Sequence, residues 1–446
     1  MSTMFPNLAI SEITRAALTF EQYQWATGSV LEDAFYSVDT GSASVPPGTL
    51  IKVEKHTNAS LYSLPPGTAI SRIVYQSKSF NGSLVPVSAY ILWPSSPRSS
   101  ADGFQVVAWA HGTSGITPDG APSHMKNLWQ HYLAPYNLAL QGYVVVATDY
   151  AGLGVSKNAH GKPILHEYAV NPSHANDIIY SVQAAQSAFS ELSKSFVVIG
   201  HSQGGGAVWA TAERQAVEPV SGYLGAVAVA PVTTIIHKKM GPLTLHSFGF
   251  LIAQGGSAPE NLLKPELICY RMENIFPEFN RAEILTDEAV VSLGIIQQTG
   301  GCSATVATRI HGTKPTKPRW TDNSFVQKFQ ESVKVGGKEI GGPLLVIHGN
   351  NDFIIHPDMT TSAVEATAQK FPAAQIEYLR LPAISHNPAL TSSQWLWMDW
   401  IAKRFAGIAQ EPGLKMSETK IAMPTAAYQR ELNSWVAPSI AFYETP

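Results

Sequence analysis

The chain is expected to adopt an α/β fold, a mostly parallel sheet flanked by helices and carrying a helical cap insertion, on three observations. Short apolar runs alternate with helical patterns from Phe104 onward, the rhythm of buried strands joined by crossover helices. A serine set among glycines, Gly200-His201-Ser202-Gln203-Gly204, stands between one such run and one such helix. A long stretch, roughly Thr233 to Gly342, then breaks the alternation before it resumes at Leu344.

The elements read as follows. Residues 1–65 form an N-terminal extension with helical character near Ile10 to Thr27 and a Gly/Ser/Pro-rich loop from Gly41 to Gly48. Ser71 to Phe80 and Ser83 to Trp93 flank Asn81-Gly82 and predict a hairpin with a type I′ turn. Strands follow at Phe104 to Ala110, Tyr143 to Thr148, Phe196 to Ile199 and Leu224 to Ala230, with helices over Ser173 to Leu192 and from about Gln203. The pattern returns with a strand at Leu344 to His348, a helix near Thr360 to Phe371, a strand from Gln375 to Leu381 and a helix from Ser392 to Phe405. The expected organisation is therefore one core built of residues 66–232 and 343–409, a cap at 233–342, and a C-terminal tail at 410–446 with little periodicity, left open as wrapped or free.

Composition narrows the partners. In 446 residues, 30 basic against 33 acidic side chains leave a net charge of -3 with no Lys/Arg run, which argues against nucleic acid. Hydrophobic residues at 45% against 14% charged suit an apolar pocket or a buried cap. The two cysteines, Cys269 and Cys302, allow at most one bridge and no C-x-x-C metal spacing, and no cofactor is expected. Glu12, Arg15 and Glu21 interrupt the first thirty or so residues, so no signal peptide is read, and no run is long enough for an integral membrane segment. A soluble intracellular protein is expected, with secretion as the alternative; the Asn58 and Asn81 sequons carry little weight. Oligomeric state is not legible.

Phe196-Val197-Val198-Ile199 followed by G-x-S-x-G and a helix is the setting of a nucleophile elbow, in which a sharp strand-to-helix turn presents the serine. A serine hydroxyl needs a base, and the base an orienting carboxylate. In the α/β-hydrolase fold they follow in the order Ser, acid, His at the ends of later strands. Asp352 ends the polar loop after Leu344 to His348, and His386 the loop after Gln375 to Leu381. Ser202, Asp352 and His386 are the expected triad. Against this, Asp352 could merely cap the next helix, a job open to Asp358; His356 competes with His386, His348 reads as ending its strand, and His201 as packing or lining the pocket. The oxyanion of a tetrahedral intermediate needs two aimed donors. Gln203, next to the nucleophile, should supply one backbone N–H and Thr113, after Val106 to Ala110, the other, with Ser114 able to substitute.

Trp109-Ala110-His111-Gly112-Thr113, Asp149-Tyr150-Ala151-Gly152-Leu153-Gly154 and Gly200 to Gly205 together resemble the fungal secretory lipase family of α/β-hydrolases, over roughly Ser71 to Phe405. The resemblance implies an ester hydrolase with a helical cap over an apolar pocket, Ser202, Asp352 and His386 at the triad positions, and Thr113 and Gln203 at the oxyanion positions. It implies a bracing role for Asp149. Family members are typically secreted, so the unread signal peptide points instead to an intracellular esterase, an acylated natural product being one substrate in keeping with the family.

The expected reaction is hydrolysis of a small-molecule carboxylic ester through an acyl-enzyme. Three other readings stay open: acyl transfer to an alcohol or amine, peptidase activity, and a non-catalytic binding protein on the same fold. Phe248, Phe250, Leu251 and Phe276 line an acyl pocket or pack the cap's own core, packing being the safer reading.

Overall fold

The computed structural model describes residues 10–237, 241–242, 272–273, 275–310, 315–352, 354–424 and 427. Strands are β1 (Leu50–Glu54), β2 (Thr68–Lys78), β3 (Leu84–Pro94), β4 (Ser99–Ser100), β5 (Gly103–Ala110), β6 (Val144–Thr148), β7 (Leu192–His201), β8 (Tyr223–Val229), β9 (Ile236–His237), β10 (Gly241–Pro242), β11 (Leu344–Gly349), β12 (Gln375–Leu381) and β13 (Gly413–Glu418). Helices are α1 (Glu12–Tyr23), α2 (Pro135–Leu140), α3 (Asn171–Ala188), α4 (Gln203–Val217), α5 (Asp287–Thr299), α6 (Ser303–Ile310), α7 (Ser324–Val333), α8 (Pro357–Lys370), α9 (Pro388–Ser392) and α10 (Gln394–Phe405).

One sheet runs β1-β2-β3-β6-β5-β7-β8-β11-β12-β13, with β4 clipped to β5. From β6 to β13 every neighbouring pair is parallel, and the β1-β2-β3 end is antiparallel. The central strands are apolar without alternation because both faces are covered. Val106, Ala108, Val198, Ala226 and Val346 enter one core with α3 and α4. Their chain neighbours Val107, Trp109, Val197, Val227 and Leu345 enter the other, against Trp397, Trp400 and Ile401 of α10. A third core joins Leu293, Ile296, Val326 and Phe329 from the segment between β8 and β11 to Ile116, Tyr168, Ile354 and Ile355 of the loops at the carboxyl ends of the strands. That is the edge of an open α/β sheet where ligands bind.

Several expectations change in detail. The hairpin turn is not type I′: only Gly82 has positive φ (+85), while Ser79 C=O accepts from Gly82 N–H at 3.0 Å. Asn81 stays out of the left-handed region because its Oδ1 accepts from Ser79 Oγ at 2.8 Å and Ser83 N–H at 3.0 Å, giving a longer loop with a left-handed residue at its end. The tail supplies β13, parallel to β12, and the N-terminal extension supplies β1, paired to β2. The strand expected at Phe196 begins already at Leu192, a residue expected to end the preceding helix, and the expected last helix is α10, preceded by a further short helix, α9. Phe276 packs its ring 5.6 Å from Phe325 against the third core. Phe248, Phe250, Leu251 and Cys269 lie outside the described residues, and Cys302 is a buried thiol. Among the described residues no helix is long and apolar enough to cross a membrane.

Candidate active site

Ser202 links β7 to α4 with φ 59° and ψ -118°, a conformation that side chains rarely adopt. The surroundings hold it there: its N–H donates to Val229 C=O at 3.0 Å and its C=O accepts from Gly206 and Val232 N–H, each at 3.1 Å. A Cβ on Gly204 would sit inside the carbonyls of Ala110 and His111, so close an approach of α4 to β5 requires glycine. Ser202 stays partly exposed while its neighbours His201 and Gln203 are buried.

Asp352 and His386 arrive on neighbouring parallel strands, β11 and β12, and meet: Asp352 Oδ2 lies 2.7 Å from His386 Nδ1. Asp352 Oδ1 accepts from Ile354 and Ile355 N–H at 2.8 and 2.9 Å, which fixes the carboxylate plane. Burial pushes the Asp352 carboxyl up, but His386 and His348 beside it prevail and hold it well below the usual carboxylate range. With Nδ1 committed to Asp352, His386 Nε2 is buried and has no hydrogen-bond partner among the described residues. The His201 ring lies 4.5 Å from the His386 ring at a tilt of 47°, which brings His386 beside the residue preceding Ser202.

Helix α8 is capped by His356, whose Nδ1 accepts from Asp358 N–H at 3.3 Å. Capping therefore falls neither to Asp352 nor to Asp358, since Asp358 already lies within the first turn.

Gln203 opens α4, where the first N–H groups have no partner within the helix and the macrodipole favours negative charge. Its side chain points elsewhere. Nε2 lies 3.2 Å from His166 Nε2 and 3.1 Å from His174 Nε2, and an amide N–H can only donate, so Oε1 faces the Thr113 hydroxyl at 3.2 Å. The Thr113 proton is spent on that bond, and Tyr168 OH at 3.2 Å then donates to Thr113 Oγ1. What Thr113 has left to offer an oxyanion is its backbone N–H. Ser114 is buried, its C=O taken by Ser303 N–H at 3.2 Å.

Asp149 braces the loops from below, accepting from Ser123 N–H at 2.8 Å, Ser123 Oγ at 2.5 Å and Ser88 Oγ at 2.6 Å. Burial pushes its carboxyl up to about 7 against the pull of those bonds. Burial likewise pushes the His111 imidazole down to about 4.

Sequence reasoning missed three contributors. His348 does more than end β11, since its Nε2 lies 3.1 Å from Asp352 Oδ2. Gln130 and Trp129 reach the loop after β5 from a segment with no motif of its own, Gln130 accepting from Gly112 N–H at 2.6 Å and Trp129 Nε1 donating to Gly112 C=O at 3.1 Å. Only His348 left a trace, its spacing of four from Asp352 across a tight turn. Among the described residues no group of three His, Cys, Asp or Glu side chains is arranged to hold a metal ion. A strained serine, a carboxylate-bound histidine and two backbone donors at one sheet edge suit nucleophilic attack on a carbonyl carbon.

Residues 107–396 match the model of the Alpha/beta hydrolase family. No curated protein matches the sequence. Among solved structures the chain is similar to lipase A of Candida antarctica in its closed state, at TM-score 0.67 and 16% identity over 92% of this chain and 94% of that one. It is also similar to the rice cell wall degrading esterase LipA of Xanthomonas oryzae, at TM-score 0.58 and 18% identity over 82% of this chain and 97% of that one. A putative hydrolase of Legionella pneumophila aligns at TM-score 0.56 and 15% identity, over 81% and 98% of the two chains. At such identities the likeness is one of fold.

Proposed function

The chain belongs to the Alpha/beta hydrolase family, and from that premise we propose that it is a serine hydrolase that cleaves carboxylic esters, with Ser202 as nucleophile, His386 as base and Asp352 as its orienting carboxylate. The observation that carries the reading is the 2.7 Å bond from His386 Nδ1 to Asp352, which leaves a buried Nε2 with no partner among the described residues on a ring packed against His201, the residue before the strained Ser202. Family and fold alone would leave the chemistry open.

In the proposed reaction His386 Nε2 takes the Ser202 proton as Oγ bonds to the ester carbonyl carbon, and the charge on the former carbonyl oxygen is met by the N–H groups of Gln203 and Thr113. The intermediate collapses, the carbon–alkoxy bond breaks, and the alcohol leaves with the proton from His386. Water, deprotonated by the same nitrogen, then releases the acid from Ser202. Asp352 stays ionised throughout and stabilises the imidazolium.

Residues 233–342 are proposed as a cap, since the described part of that segment packs a core of its own onto the site loops at Ile116, Tyr168 and Ile354. An apolar acyl group under that cover, in the manner of lipases and natural-product esterases, is the proposed substrate class. The lipase and esterase names of two similar structures support an ester over a peptide substrate.

The test pairs fluorophosphonate labelling with hydrolysis of short and long p-nitrophenyl esters, in wild type and Ser202→Ala. Labelling and turnover that both vanish in the variant support the reading. Labelling without turnover points to acyl transfer, and labelling that survives Ser202→Ala overturns the assignment.

A further inference from the structure

We propose that Gln130 and His201 are positioning residues of this site, forming one directional polar chain from the Gly112 peptide of the oxyanion loop to the backbone of His386. The proposal rests on the reading of Ser202, Thr113 and His386 given above.

The chain has only one consistent polarity. Gly112 N–H can only donate, so the atom 2.6 Å away is Gln130 Oε1. Gln130 Nε2 must then be the atom 3.1 Å from His201 Nδ1, and an amide N–H also only donates, so that nitrogen carries a lone pair. A neutral imidazole with a bare Nδ1 holds its proton on Nε2, which lies 3.2 Å from the His386 carbonyl oxygen, an acceptor. That carbonyl also accepts from Ala389 N–H at 3.3 Å at the start of α9. No link can be reversed alone.

Two features show the contact is built in. Leu128, Trp129 and Gln130 have φ of 54°, 51° and 44°, three consecutive non-glycine residues in the left-handed region. Such a backbone is unfavourable for a residue with a Cβ and persists only where the surroundings over-determine it. The result is a clamp: Gln130 holds the N–H of Gly112, and Trp129 Nε1 and His111 Nδ1 hold its C=O at 3.1 and 2.8 Å. A Cβ on Gly112 would lie 2.9 Å from Gln130 Nε2, so glycine is what admits the glutamine. The Gly112 C=O so held lies in the same peptide plane as the Thr113 N–H, so fixing it aims that donor.

The chain requires a neutral His201. Its neighbours are His386 from the loop after β12 and Asp352 and His348 from β11 and the loop after it, and burial first, then His386, push its imidazole well below the usual histidine range.

Gln130→Glu keeps an acceptor for Gly112 N–H but turns the second contact from donor to acceptor, and Gln130→Met keeps the length while removing both. Facing the introduced carboxylate, His201 must place a proton on Nδ1, by changing tautomer or by becoming charged. Correlating ring ¹H and ¹⁵N shifts in the intact protein should show His201 protonated on Nε2 alone from about pH 5.5 to 8 in wild type, and on Nδ1 in Gln130→Glu. With the best p-nitrophenyl ester, both variants should lose about ten- to hundred-fold in kcat with little change in KM, and the Gln130→Glu variant alone should gain an ionisation in its kcat profile. A wild-type His201 protonated on Nδ1 overturns the proposal, as do variants that keep kcat within about two-fold. The wild-type ring spectrum needs neither a folded variant nor turnover. Failure of the reading of the site would appear separately, as a wild type that is labelled but turns over no ester, or as labelling that survives Ser202→Ala.

Discussion

His348 and His386 share one carboxylate oxygen, Asp352 Oδ2, at 3.1 Å from Nε2 of the first and 2.7 Å from Nδ1 of the second. His348 Nε2 also lies 2.9 Å from Ile355 C=O, and both neighbours only accept, so His348 carries its proton there and takes the Thr360 hydroxyl on Nδ1 at 2.8 Å. The second histidine thus donates to the acid of the proposed triad without competing for the role of base. A hydrogen bond to a charged group contributes about 1.5–3 kcal/mol, so His348→Leu should lower kcat about ten- to hundred-fold with KM little changed. Asp352→Asn, which spoils the tautomer of the proposed base itself, should cost about 10⁴-fold. Steady-state kinetics of the two variants on one ester decide it; equal losses would mean that His348 only holds the loop together.

The close approach of α4 to β5 makes Gly204→Ala a test of the Ser202 turn. The added methyl meets backbone oxygens of Ala110 and His111 that cannot swing aside, so the turn itself must move. Displacing a reacting group by about 1 Å costs on the order of 100-fold. The fluorophosphonate labelling rate should fall by that order, with a lower thermal midpoint. Wild-type labelling in the variant would show that Ser202 does not depend on the packing of this turn.

What could be read from the chain beforehand was whatever leaves a local mark. The runs at Val144 to Val146, Val197 to Ile199 and Leu344 to Ile347 are apolar because both sheet faces are covered, and the elbow announces itself because its glycines are sterically required. The edge strand Gly413–Glu418 left no such mark: it pairs on one side only and stays largely exposed, so nothing forces an apolar pattern on it. Asn81-Gly82 misled because the dipeptide also suits a longer loop when the Asn side chain finds local donors. Gln130 could not be found at all, since Leu-Trp-Gln carries no glycine or asparagine to betray its left-handed backbone, and its partners Gly112 and His201 are remote in the chain.

Asp149 sets a pH dependence of stability that a neutral isostere should remove. Its folded pKa of about 7 lies above the unfolded value, so between about pH 4 and 7 the folded chain binds more protons than the unfolded one. The corresponding stability is present in full below about pH 4 and is lost as pH rises through about 7. Asp149→Asn presents an N–H₂ where the protonated acid would present its O–H, and the depressed histidines, such as His111, are common to both proteins and cancel in the difference. The variant should therefore gain on wild type by up to about 4 kcal/mol between about pH 4 and 8. Guanidinium unfolding of both proteins at those two pH values measures the gain. A difference that does not change with pH would mean that Asp149 is ionised in the fold at both.

Glu21 ties the N-terminal helix to the far side of the loop after β5, the proposed oxyanion loop. From α1 its carboxylate accepts from Cys302 N–H at 2.9 Å, Thr305 N–H at 2.9 Å and Thr305 Oγ1 at 2.7 Å, serving as a cap for α6 from a distant part of the chain. Burial pushes this carboxyl up, but the three donors suit its oxygens as acceptors. Cys302 forms an isolated bridge with Gly115, and Ser303 N–H donates to Ser114 C=O, so the start of α6 backs the segment that follows Thr113. Glu21→Ala strands buried donors at a helix start and should cost about 1–3 kcal/mol in unfolding free energy. Glu21→Gln keeps one acceptor oxygen and should recover part of that loss. Because α6 and the proposed oxyanion loop are bridged, kcat should fall with stability in the alanine variant and recover with it in the glutamine variant. An alanine variant that is destabilised yet retains full kcat at a temperature where it is folded would show that α1 anchors the fold without setting the geometry at Thr113.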